Sequence, residues 1–263
     1  MEKKKNRLLK IIYFNLMNIG FDPLKFFAFI RGFFPFLIDL IIFYRNVPKE
    51  YKFRIRPVFF DKYDKSGVLK GHYFHQDLLV AKKIFKNSPK SHLDIGSRTD
   101  GFVAHVACFM KIDVLDIREQ NSKIENISFK RADLMEINAS EFKKYPSISC
   151  LHAIEHFGLG RYGDPLNISG HEIALDNIYK LLEPNGKFYF STVFGEMRVE
   201  FNTHRVFNLN YLVSLLEKKF LIKNFSYVDD LGDLHEDIDL NSDLIENNLY
   251  QDYGCGIFEL VIK

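Results

Sequence analysis

The stretch Ser91-His92-Leu93-Asp94-Ile95-Gly96-Ser97-Arg98-Thr99-Asp100-Gly101-Phe102 decides the fold. A short run of buried-strand character meets a glycine and a helix start follows, the geometry that turns backbone N–H groups toward a nucleotide-like ligand. A carboxylate two residues before the first glycine limits what that ligand can be. At the carboxyl end of the strand, Asp94 would repel a pyrophosphate and attract a cation. Gly96 and Gly101 give G-x-x-x-x-G, without the middle glycine of the dinucleotide fingerprint.

Outward from this turn, strands are expected at 91–95, 112–117, 127–132, 147–153, 187–193, 221–228 and 256–262. Helical patterns fall at 72–86, 101–110, 135–144, 170–183 and 208–219. Such alternation predicts a largely parallel sheet covered by helices on both faces. Pro184-Asn185-Gly186 ends one helix and turns into the next strand. Asp116 closes the second strand, 22 residues beyond Asp94, where a carboxylate can accept from both ribose hydroxyls of an adenosine. Asp133, followed by Leu134, closes the third strand and is placed to accept from an adenine amino group. The competing reading is that each aspartate only caps a following helix. Taken together, three carboxylates at three successive strand ends point to S-adenosylmethionine, an adenosine that carries a cationic sulfur.

With 263 residues, 47% hydrophobic and 27% charged, the chain can bury a large core. Its charge is uneven. Residues 1–70 carry 15 Lys/Arg against 6 Asp/Glu, whereas Asp229 to Asp252 hold 9 acidic residues and no Lys or Arg. Ordinary solvated faces account for both ends; the functional readings are a membrane surface or polyanion for the first and a cation or substrate rim for the second. No nucleic-acid partner is expected. Cys108, Cys150 and Cys255 lie far apart and give neither a disulfide framework nor a four-thiolate zinc site. Residues 8–44 are apolar and Phe-rich, but Asp22, Pro23, Lys25, Arg31, Pro35 and Asp39 divide them into pieces shorter than a bilayer span needs. Two helices, about 8–19 and 23–45, are expected to pack on the main domain or to lie in a membrane interface beside Lys3, Lys4, Lys5, Arg7 and Lys10. Asn15 and Asn18 interrupt the apolar run and no small-residue cleavage site follows, so a cytoplasmic location is expected, with residues 1–45 as the contact if the chain is peripheral to the inner face of the membrane. The division expected is a basic helical extension and linker over 1–70 and an α/β domain over 71–263.

Chemistry is most concentrated in Leu151-His152-Ala153-Ile154-Glu155-His156-Phe157-Gly158-Leu159-Gly160-Arg161-Tyr162-Gly163-Asp164-Pro165. Two imidazoles, two carboxylates, an arginine and a tyrosine within 13 residues read as an active-site wall, with His156 or Glu155 as a general base. His152-x-x-Glu155-His156 also matches a zinc pattern, but that chemistry needs a regular helix, and Gly158 and Gly160 stop one within a turn. Two further clusters set polar residues among aromatics: Gly71 to Asp77, with His72 and His75, could fold over the ligand, and Glu200 to Arg205, with His204 and Arg205, could line the acceptor pocket. Each histidine is equally read as a hydrogen-bonded structural residue. Asp229, Asp230 and Asp233 could join histidines around a divalent cation, though no spacing demands a metal.

The strings GHYFHQD (71–77), LDIGSRTDGFVAH (93–105), LHAIEHFGLGRYGDP (151–165), VEFNTHRVF (199–207) and YGCGIFE (253–259) span most of the chain from about residue 20. They resemble class I S-adenosylmethionine-dependent methyltransferases, in particular an uncharacterised branch classed as domain-of-unknown-function family 268. The resemblance implies a Rossmann-like α/β fold with a seven-stranded, mostly parallel sheet whose last strand, at 256–262, is antiparallel. It implies cofactor contacts at Asp94, Gly96, Asp116 and Asp133. The chain departs from the pattern at Arg98, where a second glycine is usual; this arginine either binds the methionine carboxylate or crowds the pocket. The function expected is methyl transfer to an oxygen or nitrogen of a small polar acceptor. His156 would be the base, with Glu155, His152 and His204 behind it; Arg161, Tyr162, Asp164 and Arg205, with His72 and His75, would hold the acceptor. Two arginines suit a phosphate or carboxylate, as on a sugar or surface-glycan precursor. The alternatives are a non-catalytic methyltransferase-like module bound to a membrane and, third, a zinc hydrolase.

Overall fold

His92, Leu93, Asp94 and Ile95 are all buried and form β1 (His92–Ile95), an interior strand of an eight-stranded sheet. This computed structural model describes residues 12–240 and 245–263. β1 pairs in parallel with β2 (Ile112–Asp116) on one side and β4 (Tyr145–Leu151) on the other. β3 (Ile127–Arg131) continues outward from β2, and β5 (Leu182–Phe194) from β4. Beyond β5 lies β10 (Gly254–Ile262), antiparallel to it and to β8 (Phe220–Val228). The full order is β3-β2-β1-β4-β5-β10-β8-β9, with β9 (Leu234–His235) a two-residue edge. This is the sheet the resemblance implies, with one short edge strand added. Strand order reverses between β1 and β4, so a crevice opens at their carboxyl ends, the place where open α/β sheets bind ligands.

Both faces are covered. On one, α4 (Gly170–Leu181) and α5 (Leu209–Glu217) bury Ala174, Ile178, Leu181, Leu212 and Leu216 against Phe188, Phe190 and Phe220. On the other, α2 (His72–Asn87) lays Val80 and Ile84 against Phe102, Val106 and Val114. On the same face as α2 lies α3 (Ala104–Ala107), entered through a π turn over Thr99–Val103. Beside the sheet, β6 (Arg198–Glu200) and β7 (His204–Val206) form a separate hairpin.

Two local expectations need correcting. No α-helix forms over 135–144: Asp133 accepts from Met135 N and Asn138 from Ser140 N, and these side chains draw the backbone into turns with one 3-10 turn at Ala139–Glu141. The Pro184-Asn185-Gly186 turn lies inside β5, where Asn185 takes φ 62° and the pairing with β4 jumps from Leu182 to Lys187.

The described residues fall into two compact units, one ending at Val68 and one starting at Leu69. In the first, residues 12–18 are helical and α1 runs unbroken over Pro23–Asn46, capped by the Asp22 carboxylate on Leu24 N and Lys25 N. Arg31, Pro35 and Asp39 therefore do not divide the apolar run. At 24 residues, with mean hydropathy 2.1 over its most apolar 18-residue window, α1 is by length and composition long and apolar enough to cross a membrane. Lys3, Lys4, Lys5, Arg7 and Lys10, with the start of the expected 8–19 helix, lie outside the described residues.

Candidate functional site

Gly96 makes the turn after β1 at φ 70°, and a Cβ on it would stand 2.9 Å from Ala153 Cβ, so the turn takes glycine here. Asp94 does not face that crevice. It is fully buried, and its carboxylate accepts from Ser97 N (3.2 Å), Ser97 Oγ (2.6 Å) and Ser149 Oγ (2.5 Å). Burial pushes its pKa up to about 7, against those hydrogen bonds. Asp94 thus ties the glycine turn to β4 and shapes the binding surface from beneath. Gly101 also turns away: a Cβ there would lie 2.6 Å from Asp77 Oδ2 on α2.

At the strand ends the crevice is lined by Gly96, Arg98, Asp116, Asp133, Leu134 and Met135, and closed above by His152, His156 and Tyr162. Its volume of about 680 Å³, mouth included, lies in the range of small-molecule sites. Arg98 does not block it. The guanidinium pairs with Asp100 at 2.9 Å and lies over the Tyr73 ring, forming an edge of the crevice. Asp116 stands at the end of β2 as expected, but Arg118 grips it, with Nη2 2.6 Å from Oδ2 and Nε 3.0 Å from Oδ1. Arg118 in turn lies over the Tyr162 ring. Asp133 differs. Its Oδ1 accepts from Met135 N at 2.9 Å, while Oδ2 is buried with no hydrogen-bond partner. A buried carboxylate oxygen left unmet is costly, and it marks a place for a donor.

Beyond the crevice the 152–164 loop walls a second cavity, lined also by His72, Thr203, His204 and Tyr253. Tyr73, His152, His156 and Tyr162 line both spaces, so the two adjoin. His152 sits at φ 50° directly after β4, its Nδ1 2.7 Å from Glu155 Oε1 and its Nε2 3.1 Å from His72 Nδ1. Burial works against charge on His152, yet Cys255 and Glu155 hold its pKa well above the ordinary value. Glu155, fully enclosed, is held low despite burial by its bond from His152, and Thr192 Oγ1 donates to it at 3.1 Å. His72 is driven down to about 4 by burial and by the neighbouring His152.

His156 has the free nitrogen. Its Nδ1 is 2.6 Å from the Thr203 carbonyl, which only accepts, so Nδ1 carries the proton and Nε2 of the neutral ring bears a lone pair. Burial lowers the His156 pKa below the ordinary histidine value and keeps the ring neutral near pH 7. Arg161 reaches the same carbonyl at 3.1 Å and otherwise stays exposed at the rim of the cavity. His204 is buried in the wall with Nε2 unmet by any hydrogen bond, and burial lowers its pKa.

Three residues expected to hold the acceptor, Arg205, Asp164 and His75, and the aspartates of the 229–233 turn are not placed as ligand holders. Buried Arg205 donates to the carbonyls of Phe157 (2.6 Å), Ile168 (3.1 Å), Asn167 (3.3 Å) and Glu155 (3.5 Å), so it clamps the loop and has no donor fork left for an anion. Asp164 accepts from Gly158 N at 2.7 Å and Tyr162 N at 3.2 Å and folds that loop from within, although one edge of it reaches the crevice. His75 lines neither space. Asp229, Asp230 and Asp233 serve the 229–235 turn and its neighbours: Asp229 bonds His235 at 2.8 Å, Asp230 takes Tyr253 N at 2.9 Å, and Asp233 pairs with Lys70 at 2.7 Å.

The zinc-hydrolase geometry is not built. His152 precedes a 3-10 turn (Ile154–His156), and the facing nitrogens of His152 and His156 go to Glu155 and to the Thr203 carbonyl. Among the described residues, His72, His152 and Cys255 bring ligand atoms within 4.8 Å of one another, but the two imidazoles are bonded to each other. Sequence reasoning missed Tyr73, Met135, Thr203 and Tyr253 as lining residues. Tyr73, Thr203 and Tyr253 stood inside quoted motifs, but Thr203 acts through its backbone carbonyl, which its side chain does not signal.

No curated protein matches the chain by sequence. Among solved structures it is similar to the N-methyltransferase NodS from Bradyrhizobium japonicum WM9 in complex with S-adenosyl-L-homocysteine, at 12% identity and TM-score 0.49 over 73% of this chain and 88% of that one. It is also similar to Haemonchus contortus phosphoethanolamine N-methyltransferase 2, at 15% identity and TM-score 0.46 over 72% of this chain and 52% of that one. The model of the family described as "Caenorhabditis protein of unknown function, DUF268" matches residues 101–254, more than half of the chain, and the protein belongs to that family.

Proposed function

We propose that the chain is an S-adenosylmethionine-dependent methyltransferase acting on an oxygen or nitrogen of a small polar acceptor. The observation that carries this reading is the unpartnered Oδ2 of Asp133, buried in the wall of the crevice at the end of β3. That atom needs a donor, and the adenine amino group supplies one at the strand end where the resemblance implies a cofactor contact. Gly96 fits the same group, since it lines the crevice directly after β1, where its φ of 70° suits the turn. Asp116 fits with one condition. Arg118 holds it at both oxygens, so ribose hydroxyls must share the carboxylate with the guanidinium or displace it.

When bound, S-adenosylmethionine supplies an electrophilic methyl group. This chain's residues do the rest. His156 stands on the wall common to the crevice and the second cavity, with Nε2 available to take the proton that the acceptor gives up as the methyl is transferred. A base so placed contributes roughly 10²- to 10⁴-fold, and the larger share of rate comes from holding the reactants in line. Glu155 and His152 form a buried pair that fixes the loop carrying His156. His72, His204, Tyr253 and Arg161 surround the acceptor space, and Arg161 is the cation there for a phosphate or carboxylate. An activated sugar or glycan precursor has that chemistry. Arg205, spent on carbonyls, is not part of this reading.

Calorimetry on the full-length protein with S-adenosylhomocysteine tests it. One site per chain is expected; no binding tighter than about 1 mM removes the proposal.

A further inference from the structure

We infer that the first unit is a membrane-surface anchor: α1 lies in the interface of an anionic bilayer with its outer face among the acyl chains, and does not span it. The inference is independent of the methyl-transfer reading.

The two sides of α1 are different. Gly32 packs on the returning chain so tightly that a Cβ would meet the Phe59 carbonyl oxygen at 1.8 Å. Around that contact the Phe59 ring sits among Phe29, Phe33 and Phe36 at centroid distances of 4.9, 5.8 and 5.2 Å. Farther along, Phe53 covers Phe43 and Tyr44. Segment 53–63 thus covers one side of the helix. The opposite side carries Phe27, Ile30, Phe34, Ile38 and Ile41, spaced three and four apart as one helical stripe. Phe27, Phe34 and Ile38 are 68, 63 and 59% exposed. An unbroken stripe of this size on a soluble surface marks an interaction site.

Charge selects the occupant. Residues 1–70 carry 15 Lys/Arg against 6 Asp/Glu; Arg45 stands in the last turn of the helix, and Lys49, Lys52, Arg54 and Arg56 follow it. A basic segment beside an apolar stripe fits anionic lipid headgroups above acyl chains. The covered side selects the depth. Arg31 stands over the Tyr63 ring at 4.1 Å and Asp39 pairs with Lys62 at 2.7 Å, so ionised groups sit on both sides of the helix midpoint. In a spanning helix they would lie near the bilayer centre, where such groups are strongly disfavoured. In an interfacial helix, they and segment 53–63 stay in the headgroup layer.

The chain has no tryptophan, so Phe34→Trp in the full-length protein is a unique reporter. With vesicles of phosphatidylglycerol and phosphatidylcholine, a blue shift is expected, with stronger quenching by spin labels near the headgroup than near the acyl terminus. Vesicles of phosphatidylcholine alone should bind at least tenfold more weakly, and salt should weaken binding to the anionic ones. Replacing Phe27, Phe34 and Ile38 together by serine should lower affinity for anionic vesicles about 100-fold, each half-exposed side chain giving several-fold. An unchanged circular dichroism spectrum would show that the loss is not unfolding. Undiminished binding of the triple variant, strongest quenching at the bilayer centre, or a stable dimer with no vesicle binding would each overturn the inference.

Discussion

Asp133→Asn is the sharpest perturbation of the crevice, because it changes the chemistry of one atom and leaves the shape alone. Asp133 Oδ1 caps Met135 N at 2.9 Å, and an asparagine oxygen can keep that bond. The unmet Oδ2 becomes an NH₂ group. If Oδ2 receives the adenine amino group, the wild type gains a hydrogen bond to a charged acceptor, about 1.5–3 kcal/mol, and the variant sets donor against donor. At 1.4 kcal/mol per tenfold, affinity for S-adenosylhomocysteine should fall about 10- to 150-fold by calorimetry. The inosine analogue, whose 6-oxo group accepts, gives the complementary arm: the wild type should bind it poorly, and the asparagine variant should prefer it. Without ligand the variant should unfold at the same or higher urea concentration than wild type, since a buried unmet charge has been removed. Affinity within threefold of wild type for the adenosine compound, with no gain for the inosine one, would refute the assignment of Oδ2 to adenine.

Three further outcomes are expected. In nitrogen-detected NMR the neutral His156 ring should show its proton on Nδ1 and titrate below the ordinary histidine range, so that Nε2 is a free base at pH 7 and gains a proton only as pH falls through that lowered pKa; an Nε2–H tautomer would remove His156 as the base. Arg205→Met should cost about 3–5 kcal/mol in urea unfolding, because the carbonyls of Phe157, Asn167 and Ile168 lose a buried charged donor; a cost under about 1 kcal/mol would mean that the 152–168 loop is held by other contacts. Asp94, raised from 3.8 to about 7, holds its proton longer folded than unfolded, so its contribution is full at low pH and is lost as pH rises through about 7. Asp94→Asn should therefore flatten the decline in stability between about pH 4 and 7, and equal slopes in the two proteins would show that this carboxyl does not titrate there.

The sheet could be read from sequence because strand alternation and glycine or proline punctuation are local signals, and they fixed which residues reach the strand ends. Gly96, Asp116 and Asp133 stand there for that reason. Direction within the strand end is not local. Asp94 points down because Ser97 and Ser149 wait for it on the turn and the next strand, a pairing set by the β1–β4 register. Arg205 read as an anion holder because arginine forks suit anions, but β7 places it beside a loop with several unmet carbonyls. In α1, Arg31 and Asp39 read as interruptions because a sequence shows charges and not their partners. Tyr63 and Lys62, more than 20 residues away, accommodate them within one helix.

The structure of the complex with S-adenosylhomocysteine is the decisive experiment. Adenine is expected with its amino nitrogen within about 3.2 Å of Asp133 Oδ2, ribose at Asp116, and sulfur facing the cavity that holds His156. A crevice left empty at saturating ligand, or adenosine bound with its amino group away from Asp133, would contradict that placement.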